Sequence, residues 1–308
     1  MGESRRIAVT GIGAIHGLGV GVEPLLAALR AGQPPSDDLL AADFDPEQLR
    51  ESPKTYMDRC SDLALAACYL AVRDAGLGWR GAEHPGYDAE RLGVSLGTAF
   101  GPLDSMLNMT GRIQQKGLRL GSPMIFTHAF INTPAALIAI EYDLQGPNMT
   151  HALGDASSGA AIAYALTALR AGRADLMLAG GVEALSEPLL AAMQARGFEG
   201  ALGEGAAMLV LETAEYAGGR GVRPRAELRA ASCLAPCRAD AGERALSAAG
   251  WECARVIDAG AVCGHSFGAA LALSAAACVG LLAQGAGEPL AAVARDGSAV
   301  AVFEEWRA

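Results

Sequence analysis

The sequence predicts an α/β fold, and three observations carry that prediction. Short continuous apolar runs alternate with longer segments whose apolar residues recur at helical spacing, the pattern of buried strands covered by helices. Hydrophobic residues make up 51% of the 308, enough for a large core. Aromatics are only 5%, against 64 alanines and 39 glycines, so the elements of that core must approach one another closely.

Taken in order, Arg6-Ile-Ala-Val-Thr10 is a short first strand, with Gly11-x-Gly13 behind it as a tight turn. Met1 to Ile15 reads as this strand and not as a signal peptide, because its apolar stretch is short and broken by glycine. A dinucleotide fingerprint would need a third glycine at position 16, which is His16. Glu23 to Arg30 is an amphipathic helix ended by Gly32 and Pro34-Pro35, and residues 41–55 are polar and turn-rich. Met57 to Ala75 is a long helix, with Leu63, Ala67, Leu70 and Asp74 at helical steps and Gly76 as its stop. A strand at Leu92 to Gly97 precedes helices at Leu103 to Lys116 and Thr133 to Tyr142. Then come a strand at Met149 to Leu153, an alanine-rich helix at Ser157 to Ala171, and strands at Asp175 to Gly180 and Ala206 to Leu211.

The glycine and arginine cluster Gly218 to Pro224 marks a boundary between domains 1–217 and 218–308. Beyond it the pattern gives a strand near Glu227 to Ser232, a helix near Gly242 to Ala249, a strand at Val256 to Cys263, a helix at Ala269 to Ala283 and a last strand at Ala299 to Phe303. From Ala259 to Gly287 the only acidic or basic residue is His265, and the length would span a bilayer. Gly260, Gly264, Gly268 and Gly280 interrupt it, so it reads as strand, turn and buried helix, with no membrane span.

A net charge of −10 with no basic block argues against nucleic acid as a partner. Seven cysteines, an odd number without disulfide-like spacing, read as reduced thiols of a cytoplasmic protein. Cys233-x3-Cys237 is the one close pair, and no histidine follows it, so no metal site is expected. No cofactor is expected either.

Two turns carry chemistry-bearing residues. Gly264-His-Ser-Phe-Gly268 matches a nucleophile elbow around Ser266, but every other histidine (His16, His84, His128, His151) precedes it, so the hydrolase order of serine, acid, histidine cannot be built. In Gly154-Asp-Ala-Ser-Ser-Gly159, Asp155 is placed to cap the following helix. The positive end of that helix would favour a thiolate, yet Ala156 stands there, and Ser157 or Ser158 would need a base.

These residues assemble into a resemblance to the β-ketoacyl-ACP synthases of the thiolase superfamily. Ile7-Ala-Val-Thr-Gly-Ile-Gly-Ala14 with Leu18-Gly19 resembles that family's opening. Leu96-Gly-Thr98, Ser122-Pro123, Asn132 and Ala135-Ala136 resemble the approach to its active site. Gly146-Pro-Asn148, Gly159 and Arg173-Ala-Asp-Leu-Met-Leu-Ala-Gly-Gly-Val-Glu-Ala184 resemble the nucleophile region, and Gly203-Glu-Gly-Ala206 with Leu209-Val-Leu-Glu212 the end of the first half. Gly264-His265 with Gly268-Ala-Ala270 resembles the turn of the second histidine. The resemblance implies a thiolase-like α/β/α/β/α layered fold of two similar halves, the second shortened.

Departures from the family pattern fall on the machinery. The nucleophilic cysteine is matched by Ala156, and the lysine five residues before the second histidine by Gly260. Residues 213–263 hold no histidine and no Asn-Ala-His-Gly-Thr-Gly motif, and the C-terminal glycine-rich loop shrinks to Gly297-Ser298. Claisen condensation needs an acyl-thioester on the nucleophile and histidines to stabilise the enolate and oxyanion. The resemblance therefore implies a non-catalytic homologue similar to chain-length factors. Such a chain would pair with an active ketosynthase paralogue and meet an acyl carrier protein in type II polyketide, aryl-polyene or fatty-acid assembly. Met106, Met109 and Ile113 fall on one face of the helix that the resemblance sets beside the acyl tunnel; the same spacing also suits plain core packing. The alternative is a repurposed enzyme, a hydrolase, decarboxylase or dehydratase using His265 with Ser157 or Ser158.

Overall fold

The computed structural model describes residues 5–307 apart from 33, 36, 55, 78–87, 234–246, 248–253 and 295. Its strands are β1 (Ile7–His16), β2 (Gly19–Val20), β3 (Leu92–Gly97), β4 (Asn148–His151), β5 (Leu176–Glu183), β6 (Gly205–Thr213), β7 (Ala226–Cys233), β8 (Arg255–Ile257), β9 (Leu290–Val293) and β10 (Ala299–Glu304). Its helices are α1 (Glu23–Ala31), α2 (Arg59–Asp74), α3 (Leu103–Lys116), α4 (Pro123–Thr127), α5 (Thr133–Glu141), α6 (Ser157–Arg170), α7 (Glu187–Ala195), α8 (Ala214–Gly219), α9 (Gly260–Cys263) and α10 (Ala270–Ala283).

The first strand runs six residues beyond the expected Thr10, straight through both glycines, and pairs antiparallel with β6 from Ile7↔Thr213 to His16↔Gly205. The reason is packing, not a turn. A Cβ on Gly11 would lie 2.3 Å from the Ala71 carbonyl oxygen, and one on Gly13 2.2 Å from that of Ala67. Glycine there lets α2 lie directly on the strand.

The strand order is β4-β3-β5-β6-β1-β7-β10-β9-β8, with β2 beside β1. The β3–β4, β3–β5 and β8–β9 pairs are parallel; the others are antiparallel. The β1–β7 ladder is only Ala8↔Glu227 and Val9↔Ala226, so two blocks of strands meet at a narrow seam. On the outer face of the first block, Leu63, Ala67 and Ala71 of α2 pack with Val94, Leu178, Met208 and Val210. Between the blocks lie α6 and α10, whose Ile162, Leu166, Leu271 and Leu273 share one core with Val9, Leu211, Leu228 and Phe303. Helix α10 is buried on all sides, which is why it carries no charge and consists mostly of alanine and leucine. Ala230, Ala291, Val300 and Val302 form a small cluster on the far side of the second block. Of the helix expected at Gly242 to Ala249, all but Ser247 lies outside the described residues.

One expected strand is corrected. The run Val256 to Cys263 is strand only as far as Ile257; the Asp258 carboxylate accepts the Gly260 N–H at 2.9 Å, an Asx turn that breaks the ladder and starts α9. Strand β9 and helix α7 were not anticipated: Leu-Ala-Ala-Val is short and alanine-rich, and α7 relies on Ser186, whose Oγ accepts the Leu189 N–H. No helix among the described residues is long and apolar enough to cross a membrane. Of the described cysteines, Cys60, Cys68, Cys263 and Cys278 are buried free thiols and Cys233 is half-buried; Cys237 lies outside the described residues.

Candidate functional site

Two turns meet where the chain enters the middle helices: residues 154–156 lead into α6, and residues 264–269 lead into α10. Strand β3 ends on the first of them. A Cβ on Gly97 would lie 2.3 Å from the carbonyl carbon of Ser157, so glycine allows that contact. Ala156 is the N-cap of α6 and is buried, its methyl group part of the middle-layer core.

Asp155 does not cap the helix. Nothing caps α6 through a side chain; instead Asp155 Oδ1 lies 3.1 Å from His265 Nε2. The His265 ring is buried between Phe198, stacked at 5.5 Å and 16°, and Phe267, edge-on at 4.5 Å. Its backbone is clamped: His265 N–H donates to Ala201 O at 2.9 Å, and its carbonyl accepts Gly203 N–H at 2.9 Å. Phe267 stands at φ +39, in the left-handed region that a bulky residue seldom adopts, and is buried against Phe100 at 5.3 Å.

The two serines are committed to backbone. Ser157 Oγ donates to Gly154 O at 2.6 Å and accepts Leu153 N–H at 2.9 Å; Ser158 Oγ accepts the Ala272 N–H of α10 at 3.2 Å. Both are fully buried. Ser266 is also buried, with Oγ 3.3 Å from Gly264 O, and it follows helix α9, not the strand an elbow requires.

Two carboxylates hold this frame. Glu183, at the end of β5 and fully buried, accepts from Thr98 Oγ1 (3.2 Å), Ala99 N (2.7 Å), Phe100 N (3.0 Å) and Gly268 N (3.1 Å). Burial lifts its pKa to about 7 although all four bonds pull it down. Glu204 accepts from Leu185 N (3.0 Å) and pairs with Arg59 at 2.7 Å. A cavity of about 330 Å³ opens beside His265, lined by Asp258, Gly260, Gly264 and Ala270 among others. Gly260 adds no side chain to that space.

Sequence reasoning missed the tying role of Glu183, the true partner of Asp155, and Phe198 altogether. Glu183 had one available signal: it ends a strand otherwise wholly apolar, and a buried acid needs donors. Phe198 had none, because ring stacking across distant segments leaves no local pattern.

A second feature lies at the edge of the sheet. Ten of the thirteen exposed large hydrophobics among the described residues fall between Met106 and Leu153, including Phe126, Phe130, Ile131 and Met149. Strand β4, half-exposed and paired only with β3, is the last in the sheet. Met106 is 43% exposed, whereas Met109 and Ile113 are half-buried and reach towards Gly121. The stripe is therefore not an interior packing face: Ser105 is the one buried residue of α3.

Residues 39–199, a little over half the chain, match the N-terminal domain of the β-ketoacyl synthases. The chain belongs to the β-ketoacyl synthase family. It is 30% identical over 251 residues to the chloroplastic 3-oxoacyl-[acyl-carrier-protein] synthase I of Hordeum vulgare, covering 69% of this chain and 54% of that enzyme. It is 30% identical to 3-oxoacyl-[acyl-carrier-protein] synthase 2 of Coxiella burnetii over 73% of this chain and 62% of the relative. The chain thus spans a little over half the length of these two relatives. Among solved structures, the ishigamide ketosynthase/chain length factor is 25% identical at TM-score 0.76, over 99% of this chain and 100% of that one. A type II polyketide ketosynthase in complex with its acyl-carrier protein gives TM-score 0.81 at 19% identity, covering 98% and 100%, which shows the fold. The fold is thus thiolase-like, as in other β-ketoacyl synthases.

Proposed function

We propose that this family member is a non-catalytic subunit, similar to chain-length factors, that pairs with an active ketosynthase and shapes its acyl tunnel during assembly of chains on an acyl carrier protein. The observation that carries the reading is Ala156. At the turn that the family resemblance assigns to the nucleophile, a methyl group stands at the mouth of a buried helix, and the two hydroxyls that could substitute, those of Ser157 and Ser158, are both bonded to backbone. The one histidine of the site supports it further, since its Nε2 is engaged by Asp155. An enzyme built on His265 with Ser157 or Ser158 would need a serine free to meet the imidazole, and those hydrogen bonds argue against it.

The pairing half of the reading is supported by the exposed apolar residues of α4 and the following loop and by the edge strand β4. An apolar face of this extent beside an open sheet edge is the surface that obligate partners cover. On this reading Ser122 to Ala136 and Met149 to Leu153 lie in the interface, and Met106, Met109 and Ile113 border the tunnel. Co-expression with a cysteine-bearing ketosynthase, followed by sizing, tests it. A stable one-to-one complex is expected; a chain that stays monomeric beside that partner contradicts it.

A further inference from the structure

A cavity of about 420 Å³ opens to solvent where the two blocks of strands part. That size falls in the range of small-molecule sites, about 300–1,000 Å³. Val9↔Ala226 ends the short β1–β7 ladder, and the next residue on each strand, Thr10 and Arg225, lines the cavity. The end of α2, residues 222–225, the end of α10 and residues 305–306 complete the wall. None of these residues belongs to the site around His265 or to the apolar surface between Met106 and Leu153.

Most of the polar side chains in this wall are already engaged. Thr10 Oγ1 donates to Glu212, and Asp74 accepts the Ile12 N–H at 2.8 Å and pairs with Arg225. Arg223 and Glu305 are not engaged. Both are exposed, and neither makes a side-chain hydrogen bond or an ion pair among the described residues, with the other or with any neighbour. Nearby arginines are taken up internally: Arg6 and Arg229 by Glu227, Arg220 by Glu212. A cation and an anion thus border one cavity without meeting. Trp306 is half-buried in the same wall. Arg6 lies over its indole at 4.2 Å and is itself held by Glu227 at 2.7 and 2.9 Å, which fixes the ring and leaves that guanidinium occupied. Val222, Pro224 and Leu282 add apolar surface. Helix α10 ends here at Ala283 with no basic residue in its last turn, so its carbonyl end also favours a cation.

A plain anion in this cavity would meet Arg223 but also Glu305 and the carbonyl end of α10. A plain cation would leave Arg223 unanswered. A ligand that carries both charges on a small centre satisfies both sides. We infer that the cavity binds a free α-amino acid with an aromatic or bulky apolar side chain. Its carboxylate accepts from Arg223, its ammonium donates to Glu305, and its side chain packs against Trp306 and the apolar wall.

Calorimetric titration of the full chain tests this with four probes. They are L-phenylalanine, phenethylamine (without the carboxylate), 3-phenylpropionate (without the ammonium) and glycine (without the side chain). L-phenylalanine is expected to bind with a dissociation constant of about 1 mM or lower. It should bind at least about fivefold tighter than each of the other three. Arg223→Gln is expected to weaken L-phenylalanine at least about fivefold and leave phenethylamine unchanged. Glu305→Gln is expected to weaken L-phenylalanine to a similar degree and leave 3-phenylpropionate unchanged. Both side chains are exposed, so circular dichroism should show both variants folded like the parent. No binding of L-phenylalanine up to about 10 mM overturns the inference. So does 3-phenylpropionate or inorganic phosphate binding as tightly as L-phenylalanine, which would make the cavity an anion site, and so do two variants that bind like the parent. Pairing with a ketosynthase is untouched by any of these outcomes, because neither variant alters the surface proposed for it.

Discussion

Asp155 and His265 decide what chemistry remains at this site. An imidazole whose Nε2 lies 3.1 Å from a carboxylate, with one ring stacked on it, another edge-on and its backbone clamped on both sides, is held in one orientation and offers no free Nε2–H to a developing oxyanion. Restoring a thiol alone therefore does not restore condensation. Ala156→Cys is expected to form no more extended product than the parent chain when supplied with acyl- and malonyl-carrier substrates. Loss of even one oxyanion donor costs about a hundredfold or more in rate, and here the resemblance leaves one histidine where two are needed. Product formation by that variant alone, within about tenfold of an active ketosynthase, would show that the machinery is less depleted than this. Of these residues, Ala156 and His265 were legible in the sequence because each sits in a local motif. The Asp155–His265 contact was not, because it joins residues more than a hundred positions apart and a helix start offered Asp155 a plausible local role.

At the scale of elements, periodicity revealed the long helices and missed what interrupts strands. The steps of α2 and the charge-free run of α10 were readable from sequence, whereas β1 was cut short because glycine in a strand looks like a turn until the helix pressed on it is seen. The same close packing gives a stability prediction. Gly97→Val would put a side chain into the backbone of Ser157, so a loss of about 1–3 kcal/mol or more is expected, read as a fall in thermal midpoint. Helix α3 carries the functional prediction. Met106 is exposed on the helix proposed to border the tunnel, and a buried CH₂ is worth about 0.8 kcal/mol, so shortening the tunnel by even two carbons penalises longer chains. Met106→Trp is expected to shorten the product of the reconstituted pair and Met106→Ala to lengthen it, with total condensation changed much less. An unchanged length distribution from an intact complex removes Met106 from that role.

For the whole molecule, the fold class and the layered arrangement were legible because family motifs run in order along most of the chain, while the joining of all strands across the narrow β1–β7 seam was not, since two residues of pairing leave no signature. Stability against pH is also a property of the whole, and two buried groups bend it in opposite directions. His16 is neutral in the fold, its Nδ1 accepting Leu18 N–H and its Nε2 donating to Gly21 O, and burial lowers its pKa from 6.5 to about 4. The unfolded chain takes up that proton first, so this contribution is full above pH 6.5 and is lost as pH falls through about 4. Glu183 is raised from 4.5 to about 7, so its contribution is full below pH 4.5 and is lost as pH rises through about 7. Thermal midpoints across pH are expected to show His16→Asn flattening the acid limb and Glu183→Gln flattening the decline between pH 4.5 and 7. Parallel profiles for the parent and both variants would contradict these assignments.

Intact-mass measurement during turnover separates a chain that serves an active partner from one that itself carries the acyl group. The chain, a cysteine-bearing ketosynthase and an acyl-carrier substrate are mixed together and singly. An acyl adduct is expected on the partner only, none on this chain in any mixture, and extended product only when both are present. An acyl adduct on Ser157 or Ser158, or product from this chain alone, would contradict it.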